Sequence, residues 1–309
     1  MLPQVTGPDL KVAEPAESTP QQRARRGRLS RGARWVRYNR TLVAGGAMIL
    51  FLLLFGIVGS AFVTPKQADV GAGRPARPPD FQHLLGTDQQ GRDVLANVIY
   101  GTPATLKIGL IAGAIGVAVG TLLGLAGGFM GGAVDVVVRL MTDVFLTIPS
   151  LMVLVVIAAM FSGVSIVQMG IIIALWAWMW PARTVRAQVL TTRERMYVHV
   201  ARLNGMNTPK IIIQEVMPNL MPFLAASFVG TVAAAILASI GLSALGLGPQ
   251  NEASLGLTIY WAIFYGALIR QLWWWFLPPI IITIILFVGL FMTTAGLDRI
   301  ANPRLKTSS

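Results

Sequence analysis

The chain has 309 residues, of which 54% are hydrophobic and only 12% are charged. Soluble domains carry about 25% charged residues, so this composition is typical of an integral membrane protein. A net charge of +12 could suggest nucleic acid as a partner, but we expect none, because the basic residues follow a membrane-topology pattern. Cysteine is absent, which excludes disulfides, thiolate metal sites and cysteine nucleophiles.

A basic tail, residues 1–40, opens the chain and holds nine Arg and Lys residues. Residues 1–22 are rich in Pro, Glu, Gln and Thr without any periodicity, so we expect them to be disordered. We expect the run Arg23 to Arg40 to be solvated or to touch membrane lipid headgroups.

Six apolar runs approach the roughly 20 residues that a helix needs to cross a bilayer core. They cover residues 41–63, 104–128, 142–161, 166–182, 221–246 and 277–297. The sequence therefore predicts an all-α membrane protein with six transmembrane helices. Pro149 lies inside the third run and predicts a kink there. The aromatic window 257–276, interrupted by Arg270, predicts an interfacial or external helix.

The distribution of Arg and Lys predicts the orientation. Nineteen of them fall in the tail 1–40, the loop near 129–141, the segment between the fourth and fifth runs, and the C-terminal tail 299–309, whereas six fall on the other side. Cytoplasmic segments are enriched in these residues, so both termini should be cytoplasmic. Residues 64–103 then form an extracytoplasmic loop, and residues 104–298 form a core domain with five of the spans.

Small residues recur every fourth position in two of the predicted spans. Such ridges allow the backbones of neighbouring helices to approach closely. Tight packing and sliding of one helix against another are both compatible with this pattern. The first ridge is Gly116, Gly120, Gly124 and Gly128, and the second is Ala226, Gly230, Ala234 and Ala238.

A polar, basic segment from Arg183 to Asn219 separates the fourth and fifth runs and holds six Arg and Lys residues. We predict a short amphipathic helix within 195–207, because Val198 and Ala201 stand three residues apart and therefore share a face. Gly205 is expected to end this helix, and Pro209 to prevent its continuation. A surface helix lying on lipid headgroups is the alternative.

The segment from Tyr197 to Asn219 resembles the EAA loop of ABC importer permeases. Gly205 stands at the family's glycine position, and Pro218-Asn219 stand at the end of its Leu-Pro-Asn motif. The chain departs from the pattern at His199-Val200, where Glu-Ala is usual, at Asn204 and at Met217.

A second block, His83 to Leu95, resembles the His-Pro-Leu-Gly-Thr-Asp-x-x-Gly-Arg-Asp motif of the dipeptide/oligopeptide/nickel permease subfamily. The block would lie outside the cell, where it would dock a binding protein or support an outer gate. A structural turn set by its two glycines is the alternative. The motif positions are Gly86, Thr87, Asp88, Gly91, Arg92 and Asp93, and we expect Asp88, Arg92 and Asp93 to pair with one another.

The resemblance implies a type I ABC importer permease fold and a defined set of partners. These are a second permease subunit, two ABC ATPase subunits and an extracytoplasmic solute-binding protein. The helix within 195–207 would then be the coupling helix, seated on the ATPase. We expect Tyr197, Val198, Ala201 and Leu203 to pack on the ATPase, and Arg195 and Arg202 to pair with acidic groups.

The residues themselves favour a subunit that is not an enzyme. The sequence contains no Gly-Lys dipeptide and hence no P-loop, so ATP and Mg²⁺ would be bound by partner subunits and no cofactor by this chain. No ionisable residue lies squarely within a span, which disfavours a stand-alone secondary transporter or channel, the alternative function. Two isolated histidines predict neither a metal site nor an intramembrane protease.

Few polar residues are available to line a translocation path. The candidates are Ser227, Thr231 and Ser239 in the fifth run, with Trp176 and Trp180 in the fourth. The tryptophans fit an interfacial aromatic belt, or surfaces on which sugar rings stack. The solute therefore stays open between peptides, oligosaccharides and metal chelates.

Overall fold

The computed structural model describes residues 35–161 and 163–301. The expectations for residues 1–34 and for the end of the C-terminal tail, residues 302–309, lie outside this range. The chain divides into two units, Met1–Arg40 and Thr41–Ser309. In the first unit, the side-chain amide of Asn39 donates a hydrogen bond to the carbonyl of Trp35 over 3.1 Å.

The described residues of the second unit form helices joined by turns and loops, with an isolated antiparallel bridge between Thr87 and Asp93. A 3₁₀ turn, Pro65–Ala68, follows the first helix, and α8 contains a π-helical turn, Ile212–Val216. The helices are α1 (Arg40–Gly59), α2 (Val94–Met130), α3 (Gly132–Thr147), α4 (Ser150–Ala159), α5 (Ile166–Ala177), α6 (Met179–Arg193), α7 (Met196–Leu203), α8 (Thr208–Ala244), α9 (Leu255–Phe264) and α10 (Trp273–Ala301).

Four of the described helices, α1, α2, α8 and α10, are long and apolar enough to cross a membrane. Two further pairs are bent: α3 meets α4 at 80°, and α5 meets α6 at 43°. The described residues therefore provide four spans, or up to six if each bent pair makes one. The prediction of an all-α protein with several spans is confirmed, and the six predicted runs correspond to these four helices and two pairs.

The break between α3 and α4 falls at Pro149, where a kink was predicted. Proline has no backbone N–H to donate and its ring crowds the preceding turn, so the helix stops and restarts in a new direction. The break at Trp178, between α5 and α6, was not predicted from the sequence.

Two boundaries differ from the sequence prediction. α2 begins at Val94 rather than near 104, because the side chain of Asp93 accepts a hydrogen bond from the backbone N–H of Ala96 and caps the helix. Residues 94–103, predicted as loop, are therefore helical. The aromatic window 257–276 contains the short helix α9, a turn that includes Arg270, and the start of α10.

The first glycine ridge packs α2 against the end of α5 and along α6. A Cβ on any of its four glycines would come within 2.6–2.8 Å of the neighbouring helix. The predicted close approach is thus present.

The second ridge, on α8, does not form the packed interface that its small residues predicted. Nothing lies within 4 Å of a Cβ built on Gly230, and Ala234 is exposed. The middle of this face, at Gly230 and Ala234, is uncovered in the single chain, whereas Ala226 is buried.

Candidate functional site

The basic segment covers the C-terminal part of α6, the short helix α7 and the start of α8. α7 ends in a turn typical of helix C-termini: the N–H of Gly205 donates to the carbonyl of Arg202 over 3.0 Å, and that of Met206 to the carbonyl of Ala201 over 3.1 Å. Gly205 has φ +75°, a conformation that residues with a Cβ rarely adopt. The predicted end of the helix is confirmed. Pro209, instead of only terminating α7, lies in the first turn of α8.

The faces of α7 are divided between the chain itself and solvent. Val198 is 0% exposed and Ala201 is 5% exposed, so both are covered by the chain's own residues. Both side chains are thus used in packing within the chain, and the contact with a partner that was expected of them stays a prediction. The large apolar side chains of α7 that remain open are Met196, Tyr197, Val200 and Leu203, and Leu203 is 86% exposed.

Sequence reasoning missed Met196 and Val200. With Leu203 they stand at positions i, i+4 and i+7, and this spacing places them on one side of the helix. That spacing was the available signal. The spacing alone did not identify the open face, because the buried pair Val198 and Ala201 follows helical spacing as well.

A hydrophobic cluster anchors α7 to three other helices. Val198 and Ala201 pack with residues of the C-terminal part of α2, of α6 and of the beginning of α8. Apolar burial stabilises such contacts by about 25 cal/mol per Å². α7 is therefore joined to the ends of two long helices and cannot shift without disturbing them. The buried members are Leu125, Phe129, Val185, Val189, Val198, Ala201, Ile211, Val216 and Leu220.

Basic side chains reinforce the same junction. The guanidinium of Arg202 lies 5.4 Å from the centre of the Phe129 ring, within the range of a cation–π contact. Arg193 Nη1 donates to the carbonyl of Gly128 over 2.8 Å. Within this chain Arg202 therefore contacts an aromatic ring at the end of α2, and its pairing with acidic groups of a partner stays a prediction.

A shallow groove of about 590 Å³ runs beside α7 and is open to solvent. Burial in this region raises the pKa of the Tyr197 hydroxyl, so the side chain is neutral at physiological pH. The groove offers both apolar surface and hydrogen-bonding groups to a partner. Its walls are formed by Met196, Tyr197, Val200, Ala201, Asn204, Met206 and Glu215.

Pro218 and Asn219 lie inside α8, whereas the fifth apolar run was predicted to begin only at residue 221, and they follow the π-helical turn. Pro218, like any proline, has no backbone N–H to donate. The side-chain amide of Asn219 donates to the carbonyl of Glu215 over 2.6 Å. This arrangement satisfies one carbonyl in the turn that proline disrupts. The two residues therefore shape the entry of α8.

The second predicted block folds as a compact turn that caps α2. Asp93 accepts from the N–H of Ala96 and contacts His83 Nδ1 over 2.7 Å. One oxygen of Asp88 accepts the backbone N–H groups of Gln90 and Arg92, each over 2.8 Å. The expected mutual pairing of Asp88, Arg92 and Asp93 is wrong, because backbone groups and a histidine occupy the carboxylates.

The glycines of the block are required by the backbone. Gly86 has φ +66° and Gly91 has φ +76°. A Cβ on Gly91 would also lie 2.3 Å from the carbonyl oxygen of Gly73. Thr87 is completely buried, and its hydroxyl donates to the carbonyl of Arg74 and accepts from the N–H of Arg77. These contacts fit the alternative of a structural turn.

A cavity of about 450 Å³ opens at the bend between α3 and α4. Of the five predicted path residues, Trp176, Trp180 and Thr231 line it, together with the uncovered Ala234 of α8. Ser227 and Ser239 do not line it, and Ser239 is buried. The cavity is mostly apolar, so it offers few groups that could hold one solute tightly.

Within residues 35–161 and 163–301, no group of three or more His, Cys, Asp or Glu side chains is placed to bind a metal ion.

The arrangement, several long apolar helices with a basic, anchored surface helix between two of them, defines a multi-pass membrane protein. Comparison with known proteins agrees. Residues 116–307 match the model of the family described as "Binding-protein-dependent transport system inner membrane component". The chain therefore belongs to this family, as an ABC importer permease subunit of the dipeptide/oligopeptide type, and resides in the cell membrane.

Individual relatives cover most of the chain. The oligopeptide transport system permease protein OppC of Escherichia coli K12 is 32% identical over 70% of this chain and 72% of its own. OppC of Mycobacterium tuberculosis H37Rv is 30% identical over 72% of this chain and 77% of its own. The dipeptide transport system permease protein DppC of Bacillus subtilis 168 is 28% identical over 77% of this chain and 78% of its own.

Proposed function

We propose that this chain is the permease subunit of an ATP-driven importer that takes up peptides delivered by an extracytoplasmic binding protein. The relatives from three bacteria are named as oligopeptide or dipeptide permeases, which favours peptides over oligosaccharides and metal chelates. The sequence has no P-loop, so ATP hydrolysis would be performed by two ATPase subunits. A second permease subunit would complete the assembly, with both termini of this chain in the cytoplasm.

The observation that carries this proposal is the division of α7 into a buried and an open face. The open face presents the apolar residues Met196, Val200 and Leu203 beside a groove. Exposed large apolar side chains on a helix outside the spans are typical of a surface that a partner covers. We assign this face to the ATPase, with Arg195 and Tyr197 at its edge.

The buried face explains how force would reach the membrane. Val198 and Ala201 pack against α2, α6 and α8, so a displacement of α7 is transmitted to three helices at once. Packed interiors deform little and move instead as bodies. ATPase closure would therefore rock the ends of α2 and α8.

The solute would pass along the uncovered face of α8. Gly230, Ala234 and the cavity lined by Trp176 and Trp180 all lie on surface that the single chain leaves open. The second permease subunit would close this surface from the other side. A mostly apolar path with few polar groups suits a permease whose specificity comes from the binding protein.

Reconstitution tests the proposal directly. The complex with its partner permease, ATPases and binding protein is placed in liposomes, and uptake of labelled peptide is followed with and without ATP. We expect uptake only when ATP and all subunits are present. Uptake by this chain alone would instead identify a stand-alone carrier or channel, and ATP-dependent uptake of an oligosaccharide but no peptide would overturn the solute assignment.

A further inference from the structure

A polar cleft of about 480 Å³ lies at the opposite end of α2 from the coupling helix. Its walls come from four separate parts of the chain: the turn after α1, the start of α2, the start of α5 and the loop before α9. The lining side chains that carry charge are Asp69, Arg92 and Glu252. None of these was assigned a ligand above.

Arg92 is the unusual member of this group. Its Nε is buried, and no hydrogen bond or ion pair to its guanidinium is made by any residue that the structure describes. The neighbouring carboxylate of Asp88 is already engaged by backbone N–H groups, including that of Arg92 itself. The guanidinium carbon lies 6.0 Å from the centre of the Trp261 ring.

Arg92 is partly buried, and its Nε lacks the hydrogen-bond acceptor that a cationic group withdrawn from water needs. Burial lowers the pKa of its guanidinium, against the attraction of the carboxylates of Asp88 and Asp69, although arginine stays charged at any physiological pH. The planar fork of donors suits a carboxylate, which can accept two parallel hydrogen bonds.

The opposite charge is present in the same cleft. Asp69 and Glu252 are exposed, and Glu252 uses one oxygen to accept the N–H of Ile166 at the start of α5 over 3.1 Å. The cleft therefore combines one cationic group with two anionic groups. A ligand with separated charges, one of each sign, complements it.

We propose that this cleft binds short peptides as zwitterions, with Arg92 holding the terminal carboxylate and Asp69 and Glu252 facing the terminal ammonium. It would be the first place at which a peptide released by the binding protein meets this chain. The inference rests on the proposed function, because it deepens the assignment of peptides as solute.

The test uses the assembled complex in nanodiscs with the binding protein omitted, so that its own specificity does not interfere. Binding of trialanine and of trialanine amide, which lacks the carboxylate, is titrated by saturation-transfer NMR. We expect the wild-type complex to bind trialanine about tenfold more tightly, because a hydrogen-bonded ion pair is lost in the amide. Arg92→Gln should remove this preference.

Two matched variants act as controls. Lys66→Gln removes a positive charge from the turn after α1, at a side chain that does not line the cleft, and it should keep the preference. Arg92→Lys retains the charge but not the fork, and it should keep part of the preference. Equal thermal unfolding of the four complexes shows that none of the changes acts through misfolding.

The outcomes separate the two proposals. If the complete wild-type system imports peptide but Arg92→Gln leaves the preference intact, the cleft assignment is overturned and the proposed function stands. Absence of any preference in the wild type would also overturn the assignment, and a loss of uptake by Arg92→Gln in the complete system would then show that Arg92 docks the binding protein. Failure of the wild type to import any peptide would contradict the proposed function itself.

Discussion

Arg186 of α6 and Asp135 of α3 form a two-pronged ion pair: the guanidinium donates through both Nε and Nη2, and the Nη2–Oδ2 distance is 2.7 Å. The two side chains are only 18% and 21% exposed. The pair joins the first turn of α3 to α6, the helix that precedes α7. It therefore holds these two helices together.

The ion pair should contribute measurably to stability. We expect Arg186→Gln and Asp135→Asn each to destabilise the chain, with an interaction of about 1 kcal/mol in a double-mutant cycle, because two parallel charge-assisted bonds are lost. Thermal unfolding of the solubilised protein gives the free energies. The neighbouring pair Arg183–Asp143 is a matched control: its atoms are 3.7 Å apart and its side chains about half exposed. Its removal should change stability little, and equal effects of the two pairs would contradict this.

The two faces of α7 should respond differently to truncation. Val198→Ala removes buried methyl groups and should cost about 2 kcal/mol of unfolding free energy. Val200→Ala, at a position 45% exposed, should cost well under half of that. The comparison is made by chemical or thermal unfolding of the two variants. Equal losses would mean that the inner and outer faces are assigned incorrectly.

A charge on the open face should uncouple the transporter without unfolding it. Leu203→Asp is expected to leave insertion and thermal stability unchanged, because the side chain is already in solvent. Solute-stimulated ATP hydrolysis by the assembled complex should fall at least tenfold, since a buried unpaired charge opposes docking. Full stimulated hydrolysis in this variant would place the ATPase contact elsewhere.

The two glycine ridges offer another matched pair. Gly120→Ala would put a Cβ 2.6 Å from the carbonyl oxygen of Trp178, and it should destabilise the chain by about 1–3 kcal/mol. Gly230→Ala meets nothing within 4 Å and should be tolerated in the isolated chain. Unfolding measurements on the chain without its partners test this, and similar losses at both positions would be inconsistent with the open face of α8.

Asp88 should act as an acceptor rather than as a charge. Asp88→Asn keeps the oxygen that binds two backbone N–H groups and should leave the turn intact, whereas Asp88→Ala should cost about 1–3 kcal/mol. Burial raises the pKa of this carboxyl above its usual 3.8. Because the folded state then binds the proton more tightly, stability should fall as the pH rises from 3.8 through the raised pKa. Asp88→Asn should lack this dependence in unfolding curves recorded across that range.

Much of the architecture follows from local sequence patterns. The apolar runs, the break at Pro149, the packed ridge from Gly116 to Gly128 and the end of α7 at Gly205 all depend on residue type and spacing within one segment. Such features were predictable because each results from a local physical cause: helix length, a missing N–H, a missing side chain, or a positive φ.

Features that depend on which surfaces meet were harder to predict from the sequence. Periodicity shows that Val198 and Val200 are on different sides of α7, but not which side faces the chain. The same limit applies to the ridge around Gly230, where small residues fit either a packed neighbour or an empty surface. Arg92 resembled a partner of Asp88 in the sequence, and only the fold shows that backbone groups already occupy that carboxylate.

The central claim is that the open face of α7 meets the ATPase, and site-specific cross-linking tests it most directly. The natural chain has no cysteine, so Leu203→Cys introduces a unique thiol, and Ile269→Cys, 88% exposed in the turn before α10, is the control. A short thiol-reactive photo-cross-linker on the intact complex should join residue 203, but not residue 269, to the ATPase. Cross-linking of residue 269 to the ATPase while residue 203 stays unlinked would contradict the account.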